Sequence, residues 1–402
     1  MRIKQITVKN YKALQDVTLK DIPGFAVILG ANGTGKSTLV GVFDFLKDCL
    51  KDNVRSALQK RGGFREVVSR GHENELIKIE LKVQLDLISK SRTVTYSIEI
   101  GTKENQPNRP VVKREILAYR RGEYGIPFHF IDFREGAGEA APETLANFDN
   151  VTDDTGIVRE SQSLDSPDIL AIKGLGQFKK FEAASQLRDL IENWSVSDFH
   201  ITEARNTPEH GYAEHLSSSG DNLPLVTQYL QEHHPKIFAN IIEKMSKRVP
   251  GVSEVLSETM DDGRTILRFK DGSFDTPFIA KAVSDGTIKM FAYLVLLHDP
   301  EPHPLLCVEE PENQLHPSLL QVLAEEFSSY AERRKGEGQV FVTTHSPDFL
   351  NAVPLDAIYW FEKENGYSTV KKAADDEQLV ALYKEGDLPG ALWRQGLFAE
   401  VG

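Results

Sequence analysis

One stretch limits the folds open to this chain more than any other: Val27 to Leu39, VILGANGTGKSTL. An apolar run from Phe25 to Leu29 stops at Gly30, and a helix-compatible run begins after Lys36. The order is therefore strand, glycine loop, helix. Gly30, Ala31, Asn32, Gly33, Thr34, Gly35, Lys36 and Ser37 satisfy G-x-x-x-x-G-K-[ST], the phosphate-binding P-loop pattern. Each position has a chemical reason. The three glycines reach backbone angles that turn successive N–H groups inward onto phosphate oxygens. The helix that starts near Lys36 adds its positive dipole end and its unpaired N–H groups. Lys36 supplies a point charge to the β- and γ-phosphates, and the Ser37 hydroxyl is a Mg²⁺ ligand.

A length of 402 residues exceeds one small core, so two or three lobes are expected. The net charge of −13 argues against a surface that grips DNA as a whole and leaves room only for a local basic patch. Cys49 and Cys307 stand far apart with no C-x-x-C, which sets aside a zinc site and a disulfide framework. No apolar segment is long enough to span a bilayer, and the N-terminus lacks the apolar core of a signal peptide. A cytoplasmic protein with no membrane partner is expected.

Around the loop, the hydrophobic spacing switches between two periods. Ile3, Ile6, Val8, Tyr11, Leu14, Val17, Leu19 and Ile22 read as short strands feeding the P-loop. Tyr11 and Lys12 precede a turn and read either as nucleotide contacts or as turn residues. Leu39, Val42, Phe43, Leu46 and Leu50 recur at helical spacing. Lys51 to Arg70 is rich in cations and reads as a solvated face, with phosphate or DNA contact as the alternative. Ile77 to Leu87, Arg92 to Ile100 and Val111 to Tyr119 alternate as strands and predict a β-rich lobe. Asp132 to Ser166, with Gly136, Gly138, Pro142, Asp149, Asn150, Asp153 and Asp154, reads as a linker with little fixed structure. Helical spacing follows at Phe178 to Trp194, Leu223 to His233 and Ile237 to Val249. Strands are predicted again at Val252 to Glu258, Thr265 to Phe269 and Phe278 to Ala280.

The last third carries further chemistry. Ser284, Asp285 and Gly286 open a helix whose N-terminal N–H groups and hydroxyl suit phosphate. Leu305 to Val308 reads as a buried parallel strand delivering Glu309 and Glu310 at its carboxyl end, where open α/β sheets bind ligands. Glu309 is placed to hold Mg²⁺ and Glu310 to orient or deprotonate a water. Two adjacent carboxylates repel each other unless a cation relieves them. Gln339 to Thr343 is a second apolar strand that delivers Thr344, His345 and Ser346, and the histidine could bond a γ-phosphate or that water.

Taken in order, GANGTGKST, SDGT, LLCVEEPE, NQLHP and VTTHSP resemble the ABC-type ATPase heads. That group includes the structural-maintenance-of-chromosomes (SMC), RecF-like and OLD-like proteins, and the chain looks most like the compact AAA-family ATPases with an interrupted head. The resemblance implies an α/β P-loop NTPase fold of the ABC-head type, with a mixed sheet, a β-rich lobe and a helical insertion. It implies that Gly30 to Thr38 form Walker A and bind ATP, with Lys36, Glu310 and His345 catalytic and Ser37 and Glu309 on the metal. Ser284, Asp285 and Gly286 would be the signature that meets ATP on a second copy, so that ATP joins a homodimer. Glu312 to His316 would be the D-loop. Asp285 stands where a second glycine is usual, Glu309 replaces an aspartate, and no Q-loop glutamine stands out.

The expected division is 1–131 for the first half of the head, 132–250 for linker and helical insertion, 251–374 for the second half, and 375–402 for a tail. The tail either docks a partner or packs back on its head. No room is expected for a Toprim nuclease after His345. The leading functional reading is an ATPase switch in anti-phage defence that controls a separate nuclease or toxin. A RecF-like DNA-repair or clamp ATPase is the alternative. A transporter subunit fits less well, because of the long insertion between Lys36 and Ser284.

Overall fold

The uninterrupted apolar run Phe25–Gly30 is buried along its whole length, as a strand covered on both faces must be. It lies inside a six-stranded sheet in the order Ser195–Ser197, Leu305–Glu309, Gln339–Thr344, Phe25–Gly30, Ile358–Glu364, Tyr367–Lys372. The first five strands run parallel, and the last is an antiparallel edge. The structure is a computed structural model, and it describes residues 1–88, 90–104, 106–122, 125–143, 157–199, 201–333 and 338–398.

Alternate residues of the central strands serve two cores. Ala26, Ile28, Leu305, Cys307 and Phe341 face one core, and Phe25, Val27, Leu29, Leu306, Val308, Val340 and Val342 face the other. The helix Lys36–Lys51 covers the first face, with Phe43 edge-on to Trp194 at 5.2 Å. The helix Asp285–Leu297 lies in the second core, buried at every residue from Thr287 to Leu297, and Pro317–Arg333 packs on the same side.

Beside the first core is an eight-stranded antiparallel sheet, ordered Leu14–Leu19, Arg2–Tyr11, Ile77–Leu87, Lys90–Lys103, Gln106–Tyr119, Phe128–Arg134, Ala137–Ala140, Glu160–Ser163. Gln339 ties this sheet to the central one. Its amide accepts from the Ile3 N–H at 2.6 Å and donates to the Ile3 and Pro23 carbonyls at 2.9 and 3.1 Å. A three-stranded sheet, Val252–Thr259, Thr265–Asp271 and Phe278–Ile279, flanks the helical middle.

Several expectations are corrected here. The span 132–166 is not a plain linker, since Phe128–Arg134, Ala137–Ala140 and Glu160–Ser163 extend the large sheet. Asp149, Asn150, Asp153 and Asp154 lie outside the described residues. Tyr11 is buried against Phe45, ring to ring at 5.6 Å, and is no surface contact for a nucleotide. The helix predicted from Phe178 begins at Glu182. In the tail, Leu379, Leu392 and Phe398 pack into the second core, while Tyr383 and Leu388 face outward. Among the described residues no helix is long and apolar enough to cross a membrane.

Candidate active site

Parallel strands end together, and the register places Leu29 beside Thr344 and Thr343 beside Glu309. Gly30, Asp198, Glu310 and His345 therefore emerge at one edge of the sheet from four different strands, the placement expected for a ligand in an open α/β sheet.

The glycine loop is shaped by contact as well as by angle. Gly33 and Gly35 have φ of +81° and +103°, values that favour glycine. A Cβ on Gly30 would lie 2.7 Å from the Phe361 carbonyl, and one on Gly35 would collide with the Ser368 hydroxyl. Ser368 braces the loop by donating to the Thr34 carbonyl at 2.7 Å. Thr34 closes the turn with a bond from its hydroxyl to the Ala31 carbonyl at 2.9 Å. Ala31, Asn32, Gly33 and Ser37 are exposed. Lys36 is only 4% exposed, and its Nζ donates to the Gly30 and Ala31 carbonyls at 2.9 and 3.1 Å. Burial pulls the Lys36 pKa down, opposed by Glu310, Glu312 and Glu309.

The acids stand against this loop. The Ser37 hydroxyl hydrogen-bonds Glu309. Glu310 Oε1 is 3.8 Å from Lys36 Nζ and 3.6 Å from His345 Nδ1. Asn313 donates to Glu310 Oε2 at 3.2 Å. Glu312 fixes the histidine, since its Oε1 accepts from the Thr344 hydroxyl and the His345 N–H, both at 2.8 Å. Burial raises the Glu309 pKa, and Asp198 and Glu310 push it further up against the pull of Ser37 and Lys36.

The residues fit Mg²⁺. Ser37 and Glu309 offer hard oxygen donors, the acids crowd one another, and the buried Glu312 Oε2 takes no hydrogen bond among the described residues. Lys36 is the cation that these acids share with buried Lys289, whose Nζ donates to the Asn313 carbonyl at 2.8 Å.

The segment Ser284 to Gly286, expected to be the signature, bonds to other partners. Ser284 caps its own helix, its hydroxyl 2.7 Å from that of Thr287. Asp285 pairs with Arg205 at 2.7 Å. Gly286 abuts the Gln314 carbonyl, 3.2 Å from where a Cβ would sit. Among the described residues these bonds run to residues outside Gly30–Thr38. Sequence reasoning missed Asp198, Ser368 and Lys289. Only Asp198 left a trace, as an acid after a short polar stretch.

Residues 25–153 and 140–351 match the family described as "AAA domain, putative AbiEii toxin, Type IV TA system". Among solved structures, the chain is similar to an SmcHead bound to the C-winged helix domain of ScpA, at 14% identity and a TM-score of 0.55, over 92% of this chain and 97% of that one. It is also similar to an Smc head domain with an extended coiled coil, derived from Pyrococcus furiosus and bound to the C-terminal domain of ScpA. There the identity is 13% and the TM-score 0.50, over 95% and 99% of the two chains. At such identities the likeness is one of fold. No curated relative matches the chain.

Proposed function

The chain belongs to the AAA-domain family whose description includes a putative AbiEii toxin of Type IV toxin–antitoxin systems, and from that premise we propose an ATPase that dimerises on ATP and controls a separate effector in bacterial anti-phage defence. Gly30 to Thr38 wrap the phosphates of ATP. Lys36 turns from the Gly30 and Ala31 carbonyls to the phosphate oxygens. Ser37 and Glu309 would hold Mg²⁺, which would supply positive charge against those oxygens. Glu310 orients the attacking water and takes its proton, and His345, steadied by Glu312, faces the γ-phosphate. Ser284, Asp285 and Gly286 meet the nucleotide of the second copy, and hydrolysis lets the heads part.

The single observation that supports this reading most is the meeting of Lys36, Glu310 and His345 within 3.8 Å contacts, although they come from distant parts of the chain. The family's description, which names a putative toxin of a Type IV toxin–antitoxin system, supports a place in such a system, and the ScpA domains bound to SMC heads support a protein partner. The test is Glu310→Gln. It should keep ATP binding, lose turnover at least ~100-fold, and run as a dimer with ATP in light scattering. Hydrolysis at the parent rate, or a monomer with ATP bound, would overturn the switch. Unchanged phage plating on a host lacking the gene would overturn the defence role.

A DNA-repair or clamp reading draws support from one surface. The segment Lys51 to Arg70 is an unpromising route, because Lys60, Arg61 and Arg70 are paired with Asp48, Asp44 and Glu66. The large sheet instead carries a concavity of about 720 Å³ lined by Lys82, Lys90, Arg92, Arg120 and Arg121. Steeply salt-dependent duplex binding, lost in Lys82→Glu/Lys90→Glu, would favour that reading.

A further inference from the structure

We propose that His215, Asp299 and His303 form a binding site for a zinc-class divalent cation, separate from the nucleotide site. One donor atom from each lies within 4.8 Å of the others. The site is at the far end of the central sheet. Asp299 and His303 precede the strand Leu305–Glu309 at its amino end, whereas Glu309 and Glu310 close its carboxyl end.

The three side chains converge on one point. The Asp299 side chain is only 4% exposed, and its Oδ2 lies 2.8 Å from His215 Nδ1. Its Oδ1 accepts the Glu301 N–H at 2.9 Å. A buried carboxylate held this way calls for a cation. His303 Nδ1 is 3.1 Å from the Asn193 carbonyl, so that nitrogen carries the proton and Nε2 carries the lone pair. A backbone carbonyl behind the ring is how metal-bound histidines are held. Both backbones are pinned as well. Tyr330 donates to the His303 carbonyl and Asn222 to the His215 carbonyl, each at 2.9 Å. Lys47, the nearby cation, is directed to the Trp194 carbonyl.

Two imidazoles and one carboxylate suit Zn²⁺, Co²⁺ or Ni²⁺ rather than Mg²⁺ or Ca²⁺. Tetrahedral bonds to nitrogen and oxygen imply donors ~3.4 Å apart, so side-chain rotation has to draw in any pair near the 4.8 Å limit and to part His215 Nδ1 from Asp299 Oδ2 if both bind the ion. The bound ion would clasp the segment 211–222 to the connector between the helix Asp285–Leu297 and the strand Leu305–Glu309.

The test uses the full chain, stripped with chelator and held in excess Mg²⁺. Titrated Zn²⁺ should bind at one equivalent and raise Tm. Co²⁺ should give the visible absorption of a tetrahedral site. His303→Gln should weaken binding roughly tenfold or more, and His215→Ala/His303→Gln should abolish it with the circular dichroism and ATP binding of the parent retained. No Zn²⁺ uptake by the parent, or an equal equivalent taken up by the double variant, overturns the site. Should the double variant fail to fold, the parent's Co²⁺ spectrum still decides, since an octahedral spectrum or none refutes it.

Discussion

Glu310 carries its carboxylate on a backbone that few side chains tolerate, at φ +38°. The bond from its N–H to the Thr343 carbonyl at 3.0 Å holds it there and aims the side chain at Lys36. Asp198 acts on the same place from the neighbouring strand. It pushes the Glu309 pKa upward, so it adds to the negative field that draws in a divalent cation. Asp198→Asn should therefore raise the Mg²⁺ concentration needed for half-maximal ATP turnover by roughly tenfold, with less effect on the rate at saturating Mg²⁺. An unchanged Mg²⁺ dependence would remove Asp198 from the site. The P-loop, the paired glutamates and His345 were legible because each sits in a contiguous string whose chemistry is local. Asp198 and Ser368 were not, because their roles arise only when the short strand Ser195–Ser197 pairs with the distant Leu305–Glu309 and when the Ser368 hydroxyl reaches Thr34 from the far end of the chain.

At the scale of elements, alternation made Ile77–Leu87 readable, since every second residue is buried. The strands Ala137–Ala140 and Glu160–Ser163 were hidden by glycine and acidic residues that look like loop and by their short length, whereas Phe128–Arg134 carries a strand pattern that sequence reasoning missed. The short helix Ala171–Leu175 is capped from the strand Gln106–Tyr119. Glu115, 1% exposed, accepts N–H groups of Ala171 and Ile172 and the Tyr96 hydroxyl. Burial lifts its pKa from 4.5 to about 7. Glu143, bonded by Tyr119 and the Ala183 N–H, is also lifted to about 7 by burial. In both, the folded state holds a proton that the unfolded chain releases above its own pKa. Their stabilising contribution is full below about 4.5 and is lost as pH rises through about 7. The depressed carboxyls Asp48, Asp132 and Glu326 act in the opposite sense only in more acid solution. Urea unfolding should thus show stability falling between about pH 4.5 and 7 by on the order of 3 kcal/mol per raised group. Glu115→Gln should flatten that slope whatever it does to absolute stability, and a slope equal to the parent's would show that Glu115 does not titrate there.

On the scale of the whole molecule, the two cores divide the labour. One carries the P-loop helix and the large sheet, and the other carries the helix Asp285–Leu297. Lys289, one turn into that helix, reaches the Asn313 carbonyl and feels Glu312 and Glu310, so the helix is tied to the acids of its own chain. Ser284 makes its bonds within its own helix cap, and under the proposed dimer it is the residue that meets the other copy's phosphate. Asp caps a helix as well as Ser does, so Ser284→Asp should fold normally while setting a negative charge against that copy's γ-phosphate. Lys36→Ala should be inactive for the separate reason that its own loop no longer holds ATP. A head-to-tail dimer of one of each still has one intact composite site, built from the Ser284→Asp chain's P-loop and the Lys36→Ala chain's signature. An equal mixture of the two inactive proteins should then recover roughly a quarter of the parent's turnover, because half of randomly assorted dimers carry one working site of two. A mixture no more active than the average of its components would mean that each head works on its own nucleotide alone.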